Sequence, residues 1–416
     1  MTTRARATVR DLRRVNRAAV LRRLFLEGPL NRVALAQLTG LSSGSVTNVT
    51  SALLEEGLIA EVGLEESDGG RPRVLLQVNP EFGGVIGVEV GETRIRVEAF
   101  DMRMRIAGMA EVALHPQHHE AEVAIDEIIV AIEKLQGQFA AESRRLIGVG
   151  VAVPGVVAHH DGDARVHAPN IGWRDVPMER LIRDRAGLPV FADNGAKALG
   201  QAEMWLGAGR GASHAVVALW GTGVGAAIFT NGSLYRGSAS SAGEWGHTSI
   251  RVGDKRCRCG GAGCVEAYIG AAALLEEWHR TDPSATPPTD PDSEEWVDRF
   301  LESAQANKAA KAALEQAAFY VGTAAANLVN LFNPEKIVIG GWLGLKLGPP
   351  LLSQIRKAVR DQALEYTASR VSIEVGQLGA EAVALGACTL VVDELLANGG
   401  VPPIVGQGKV QGLRLP

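Results

Sequence analysis

The apolar positions of this chain follow a helical period at its start and a strand period further along. Between Val15 and Leu26, the residues Val20, Leu21, Leu24 and Phe25 share one helical face, and Gly28-Pro29 ends the run. Residues 1–9 carry no such period and read as disordered. Asn31 is placed to cap a second helix over Arg32–Thr39, which Gly40 closes in a left-handed conformation. Ser42 is placed to cap a third helix reaching Glu56, with Val46, Val49 and Leu53 on its inner stripe. A helix, a short glycine turn and a helix with a single apolar stripe make helix–turn–helix grammar. Leu58–Val62 and Val74–Val78 are short β-type runs joined by Gly69-Gly70-Arg71-Pro72-Arg73, which reads as a basic wing.

From Gly84 the pattern becomes α/β. Strands are expected at Val85–Val90, Arg94–Phe100 and Arg105–Val112, a helix at Glu120–Ser143, and a buried strand at Leu146–Val153. A strand at Pro189–Ala192 enters a helix from Asn194 to Leu206. The layout then restarts with His214–Trp220, a glycine turn and Val224–Phe229. The paired turns at Gly91 and Gly221 point to an internally duplicated, two-lobed body. The Pro- and Asp-rich stretch Thr281–Glu294 reads as an exposed loop and Ser303–Leu331 as one long helix. Ile337–Ile339 reads as a strand and Ala380–Leu396 as a last helix. The expected division is a winged helix–turn–helix at 1–80, one lobe at 81–195 plus 379–396, a second lobe at 196–378, and a mobile tail at 397–416.

Charge sharpens this picture. Residues 1–54 hold nine arginines against Asp11 and Glu27, a net +7, so the rest of a chain with net charge −5 carries −12. A basic head on an acidic body is the pattern of a nucleic-acid reader attached to a sensor or an enzyme. Ser43, Ser45, Thr47 and Asn48 are small polar residues suited to base edges in a major groove, and Arg71 and Arg73 to a minor groove or phosphates. A three-helix protein-interaction module is the alternative. The N-terminus has no apolar core of a secretory signal, and no apolar run reaches the ~18 residues of a membrane span, so a cytoplasmic protein is expected.

The densest chemistry lies in Glu244-Trp-Gly-His247 and Cys257-Arg-Cys259-Gly-Gly-Ala-Gly-Cys264-Val-Glu266. Three thiols and an imidazole complete a tetrahedral structural zinc site at His247, Cys257, Cys259 and Cys264, with no position left for a catalytic water. Two disulfides, or reduced core cysteines, are the alternatives, and disulfides would need an oxidising compartment. Glu244 and Glu266 flank the set as candidate polar-pocket residues.

These motifs resemble the ROK family of sugar kinases and repressors, whose E-x-G-H…C-x-C-G-x-x-G-C-x-E signature this stretch matches at every defining position. The resemblance spans nearly the whole chain and implies a winged helix–turn–helix followed by a body with the actin-like ATPase (RNase H-like) fold. It implies metal binding by His247 and the three cysteines, and sugar contacts from Asn170, Asn194, Glu244, His247 and Glu266. It also implies a homodimer or homotetramer on double-stranded operator DNA, with a sugar or sugar derivative as effector.

The chain departs from a kinase at three places. Gly195 stands where the family's kinases carry the Asp base that deprotonates the sugar hydroxyl. The family's first phosphate turn is Asp-x-Gly-Gly-Thr, and here it reads Glu89-Val-Gly91-Glu92-Thr93, with a carboxylate at Glu92 facing where a triphosphate would lie. Gly340-Gly341-Trp342 replaces the Gly-Gly-Gly beside the adenine, and only Gly221-Thr-Gly223-Val-Gly225 is intact. No catalytic residue and no enzymatic activity are therefore expected. An ATP-dependent sugar kinase with an N-terminal extension is the rival reading, and a regulator answering to a protein partner is a third.

Overall fold

Thr8 starts the first helix, in a computed structural model that describes residues 8–66, 72–114, 120–160, 163–284, 288 and 293–405. Its hydroxyl accepts from the Asp11 amide while the Asp11 carboxylate accepts from the Thr8 amide, so α1 (Val9–Glu27) begins earlier than its apolar period suggests. A two-residue strand β1 (Leu30–Asn31) leads into α2 (Arg32–Thr39). Asn31 caps α2 at the amides of Val33 and Ala34, and Gly40 takes the left-handed conformation at its end. Ser42 caps α3 (Ser43–Glu55). Strands β2 (Ile59–Glu65) and β3 (Arg73–Val78) form the wing, and β1 adds a third strand that the pattern did not foretell. Val20, Leu21, Leu24, Leu35, Val46, Val49 and Leu53 are buried in the centre of this head.

The body contains two five-stranded sheets of identical topology. In the first, β4 (Gly84–Val90), β5 (Arg94–Asp101) and β6 (Ile106–Ala113) run antiparallel. The helix α4 (Ala121–Ala141) then carries the chain to β7 (Leu146–Val153), parallel to β4. A small sheet of β8 (Val156–His160), β9 (Asp163–Ala168) and β10 (Trp173–Pro177), followed by α5 (Met178–Ala186), intervenes before β11 (Val190–Asn194), parallel to β7. After α6 (Gly195–Leu206) the scheme repeats with β12 (Ala215–Trp220), β13 (Val224–Thr230) and β14 (Ser233–Leu234). The chain returns through α7 (Glu266–Ile269), α8 (Ala271–Thr281), α9 (Glu295–Ala306) and α10 (Lys308–Phe332). It then forms β15 (Lys336–Gly340), α11 (Trp342–Gln362), α12 (Glu365–Ala368), β16 (Ser372–Val375) and α13 (Ala382–Ala397). The strand orders β6-β5-β4-β7-β11 and β14-β13-β12-β15-β16 are the same path walked twice.

Two expectations need correction here. The long helix expected from Ser303 is two helices, because Asn307 leaves the helical conformation and caps α10 at the amides of Ala309 and Ala310. The start of the expected mobile tail is packed. Gly399 accepts from the Arg17 guanidinium at 2.7 Å, and a side chain at Gly400 would collide with Leu58 and Leu21. Residues 406–416 of that tail lie outside the described residues.

Helices α6 and α13 pack on each other between the sheets at backbone distance. A Cβ at Gly386 of α13 would sit 1.9 Å from the Ala198 carbonyl of α6, and α13 approaches the first sheet as closely, since a Cβ at Gly150 of β7 would sit 1.9 Å from the Ala387 carbonyl. Their far ends meet the head. Phe25 packs edge-on against Trp205 with ring centroids 5.7 Å apart, Arg22 lies over the same indole and pairs with Asp393, and Leu395 and Leu396 join the head's core. Part of the head's positive charge is thus spent on docking. Arg17 is buried in a two-pronged pair with Glu56.

Candidate ligand cleft and metal centre

The E-x-G-H segment is shaped by close approach. A Cβ at Gly246 would lie 2.1 Å from the Val224 carbonyl, and Gly243 is at φ 98° with a Cβ position 1.9 Å from the Ala226 carbonyl. Trp245 is buried, its indole N–H donating to Ala324 at 3.1 Å. Together these anchors hold Glu244 and His247 at the edge of β13. The cysteine loop folds on itself by the same logic. The Cys257 amide donates to the Gly261 carbonyl at 2.9 Å, the Gly260 amide to Cys257 at 3.0 Å, and Gly263 is left-handed, its Cβ position only 1.8 Å from the Arg251 carbonyl.

His247, Cys257, Cys259 and Cys264 converge with all their ligand atoms within 4.8 Å of one another. Cys259 Sγ is 3.7 Å from Cys264 Sγ, and Cys257 Sγ is 3.8 Å from His247 Nδ1. Ligands about 2.3 Å from a tetrahedral centre stand roughly 3.8 Å apart, so the four groups fit a metal ion and have not collapsed into a disulfide. The fourth cysteine, Cys388, is buried in α13 away from this cluster.

Beside this cluster a cavity of about 660 Å³ opens between the sheets. All five residues named for sugar contact line it: Asn170, Asn194, Glu244, His247 and Glu266. They are not equally available. Asn194 caps α6 at Ala196 and Lys197 and donates to the Gly155 carbonyl at 2.7 Å. Glu266 is buried and accepts the Val224 amide at 2.9 Å. Gly195 lines the wall with its nearest neighbours 3.8 Å from a Cβ position, so an acidic side chain would fit where none is present. Asp193 is no substitute, because it is buried against Arg236 at 2.6 Å. Glu89, half-buried at the wall, has its carboxyl pushed up to about 7 by burial, which nearby Arg96 and Arg94 offset only in part.

The remaining departures also line this cavity. Trp342 lies against the intact glycine turn, its indole N–H directed at Thr222 Oγ1 at 3.4 Å, and a Cβ at Gly221 would be 3.1 Å from its ring. Glu92 accepts from Arg258 at 2.6 Å and from the Asn170 amide at 3.0 Å. Arg258 also donates to both oxygens of Glu266, at 2.8 and 3.4 Å. Sequence reasoning overlooked Arg258. Its position between two candidate metal ligands was visible, but the direction of its side chain was not.

In the head, Ser43, Thr47 and Asn48 are exposed on α3, whereas Ser45 is half-buried with its hydroxyl 2.9 Å from Ser42 Oγ in the cap. Arg73 is exposed at the start of β3, and Arg71 lies outside the described residues. No helix among the described residues is long and apolar enough to cross a membrane.

Residues 85–394 match the ROK family. The chain belongs to that family. It is similar to the xylose repressor of Caldicellulosiruptor bescii, 29% identical over 402 residues that cover 93% of this chain and 97% of that one. It is also similar to a glucokinase from Halalkalibacterium halodurans, 34% identical over 313 residues, covering 74% of this chain and 94% of that one. A solved ROK family transcriptional regulator, a homologue of the Escherichia coli Mlc protein, superposes with a TM-score of 0.77 at 25% identity, covering 94% of this chain and 98% of its own. The duplicated sheets are accordingly an actin-like ATPase body, here preceded by a winged helix–turn–helix.

Proposed function

We propose that this ROK protein is a DNA-binding transcriptional regulator, acting as a repressor, whose kinase-like body senses a sugar or sugar derivative without phosphorylating it. The observation that carries the reading is the shared seat of head and cleft. Helix α6 begins at Asn194 and Gly195 in the cavity wall and ends at Trp205 against the head. Helix α13 begins beside Ala382 and Val383 in the same wall and ends at Leu396 in the head's core. A ligand that changes the lobe angle therefore acts on two rods that end at the DNA reader. The full-length similarity to proteins named as repressors supports the same reading.

Operator DNA would meet the exposed α3 residues Ser43, Thr47 and Asn48, with the wing arginines Arg71 and Arg73 on the backbone or minor groove, and two heads of a homodimer or homotetramer would read a palindrome. Asn170, Glu244, His247 and Glu266 would hold sugar hydroxyls, since carboxylates and amides orient several hydroxyls at once. Zinc held by His247, Cys257, Cys259 and Cys264 would serve as a structural cross-link, with His247 turning its other nitrogen to the cavity.

The rival kinase reading draws on the glucokinase similarity. It is weakened by glycine at position 195, by a paired carboxylate at Glu92 and by the Trp342 indole beside Gly221. An ADP-release assay over a panel of hexoses and pentoses separates the two. Turnover no greater than without sugar is expected, and sugar-dependent ADP release would overturn the non-enzymatic reading.

A further inference from the structure

Arg258 links groups that belong to different lobes. It stands between the metal-binding residues Cys257 and Cys259, on the loop that precedes α7. Its Nε and one terminal nitrogen serve Glu266 of the same lobe. Its other terminal nitrogen crosses the cleft to Glu92, in the turn between β4 and β5 of the opposite lobe. Glu92 is in turn steadied by Asn170. Gly223 lies beside the guanidinium, where a Cβ would come within 3.2 Å of Nη2, the terminal nitrogen on Glu266.

We propose that Arg258 and Glu92 form a cross-cleft latch, with the metal loop as its anchor, and that an entering effector must move Arg258 to reach Glu266. Three observations support it. The guanidinium occupies both oxygens of a buried carboxylate in the cavity wall, so a ligand reaches Glu266 by offering hydroxyl donors in its place. A guanidinium is a rigid planar fork, and it is carried here on the backbone between two candidate metal ligands, Cys257 and Cys259. Glu92 replaces a glycine of the phosphate turn, so the carboxylate that would repel a triphosphate has a partner of its own. The ligand chemistry selected is a neutral polyol with adjacent hydroxyls, because the cationic group already in place matches the carboxylates.

The effector half of this inference rests on the sensing role proposed above, whereas the latch itself does not. Glu92→Ala removes the cross-lobe contact, together with the bond from Asn170 within its own lobe, and leaves Arg258 on Glu266, so it is the cleaner variant. Hydrogen–deuterium exchange of the full-length protein, zinc content measured in parallel, tests it without any ligand. The expected result is exchange raised at least several-fold in residues 256–264 of the opposite lobe, at unchanged zinc content. The Glu92→Ala/Arg258→Ala double variant should show no further rise at the turn 91–93 beyond that of Arg258→Ala alone. Faster exchange confined to the lobe carrying residue 92, or additive effects in the double variant, would overturn the latch. Absence of specific DNA binding by the wild-type protein would count against the regulator and leave the exchange result as it stands.

Discussion

The two glycine hairpins at the cleft occupy equivalent places in duplicated sheets but have different surroundings. The β12–β13 turn keeps Gly221, Gly223 and Gly225, and each is filled by something close: the Trp342 ring, the Arg258 guanidinium and the Ala196 methyl group. The β4–β5 turn has lost a glycine to Glu92, which points a carboxylate into the cleft and holds Arg258 there. A glycine turn that survives is therefore not by itself a phosphate cradle. In this protein the intact turn is a packing surface for an indole and a guanidinium, and the altered turn supplies the charge that recruits the guanidinium.

The largest way to break this contrast is to remove the anchor of Arg258. Cys264→Ser should reduce bound zinc from about one per chain to near zero, measured by elemental analysis, and lower the melting temperature markedly. A metal-replete, equally stable variant would contradict the structural site. Next in size, Glu89→Gln should stabilise the protein by about 1–3 kcal/mol at pH 8 and hardly at all at pH 4. The native carboxyl, with its affinity pushed up to about 7, keeps a proton that the unfolded chain loses above the ordinary value of 4.5. Wild-type stability therefore falls as pH rises through that window, and glutamine does not share the loss. Denaturant midpoints at several pH values check the sign.

Gly40→Ala, with open space around it, should cost about 1–2 kcal/mol of left-handed strain, whereas Gly223→Ala, whose Cβ would meet only the far end of the Arg258 side chain at 3.2 Å, should cost less. Arg73→Ala should weaken DNA binding a few-fold and lessen its salt dependence, read by fluorescence anisotropy. The smallest effect is expected from Gly195→Asp. Restoring the carboxylate should yield no ADP release, because Glu92 and Trp342 still line the cleft. Turnover in that variant would mean that the base was the only missing part.

How much of this was legible in the sequence depends on the range of the forces involved. Asn31, Gly40 and Ser42 act within a turn of their own helices, and their caps lie where the residues indicated. The convergence of His247 with three cysteines is nearly as local, because eighteen residues bring all four together. The break at Asn307 was hidden inside an alanine-rich run, where a capping side chain resembles any other polar residue. The contact from Arg17 to Gly399 spans almost the whole chain, so no local pattern announces it. Arg258 was hidden for a different reason: the cysteines fix its backbone, but only the opposing lobe determines where its side chain goes.

The central claim, a sugar-sensing regulator that does not phosphorylate, is tested most directly by titrating the full-length protein on DNA from its own promoter region, with and without a panel of sugars. The account predicts specific binding whose affinity changes about 5- to 150-fold with one sugar class, as a coupling of ~1–3 kcal/mol requires. Absence of specific binding to any fragment would contradict it.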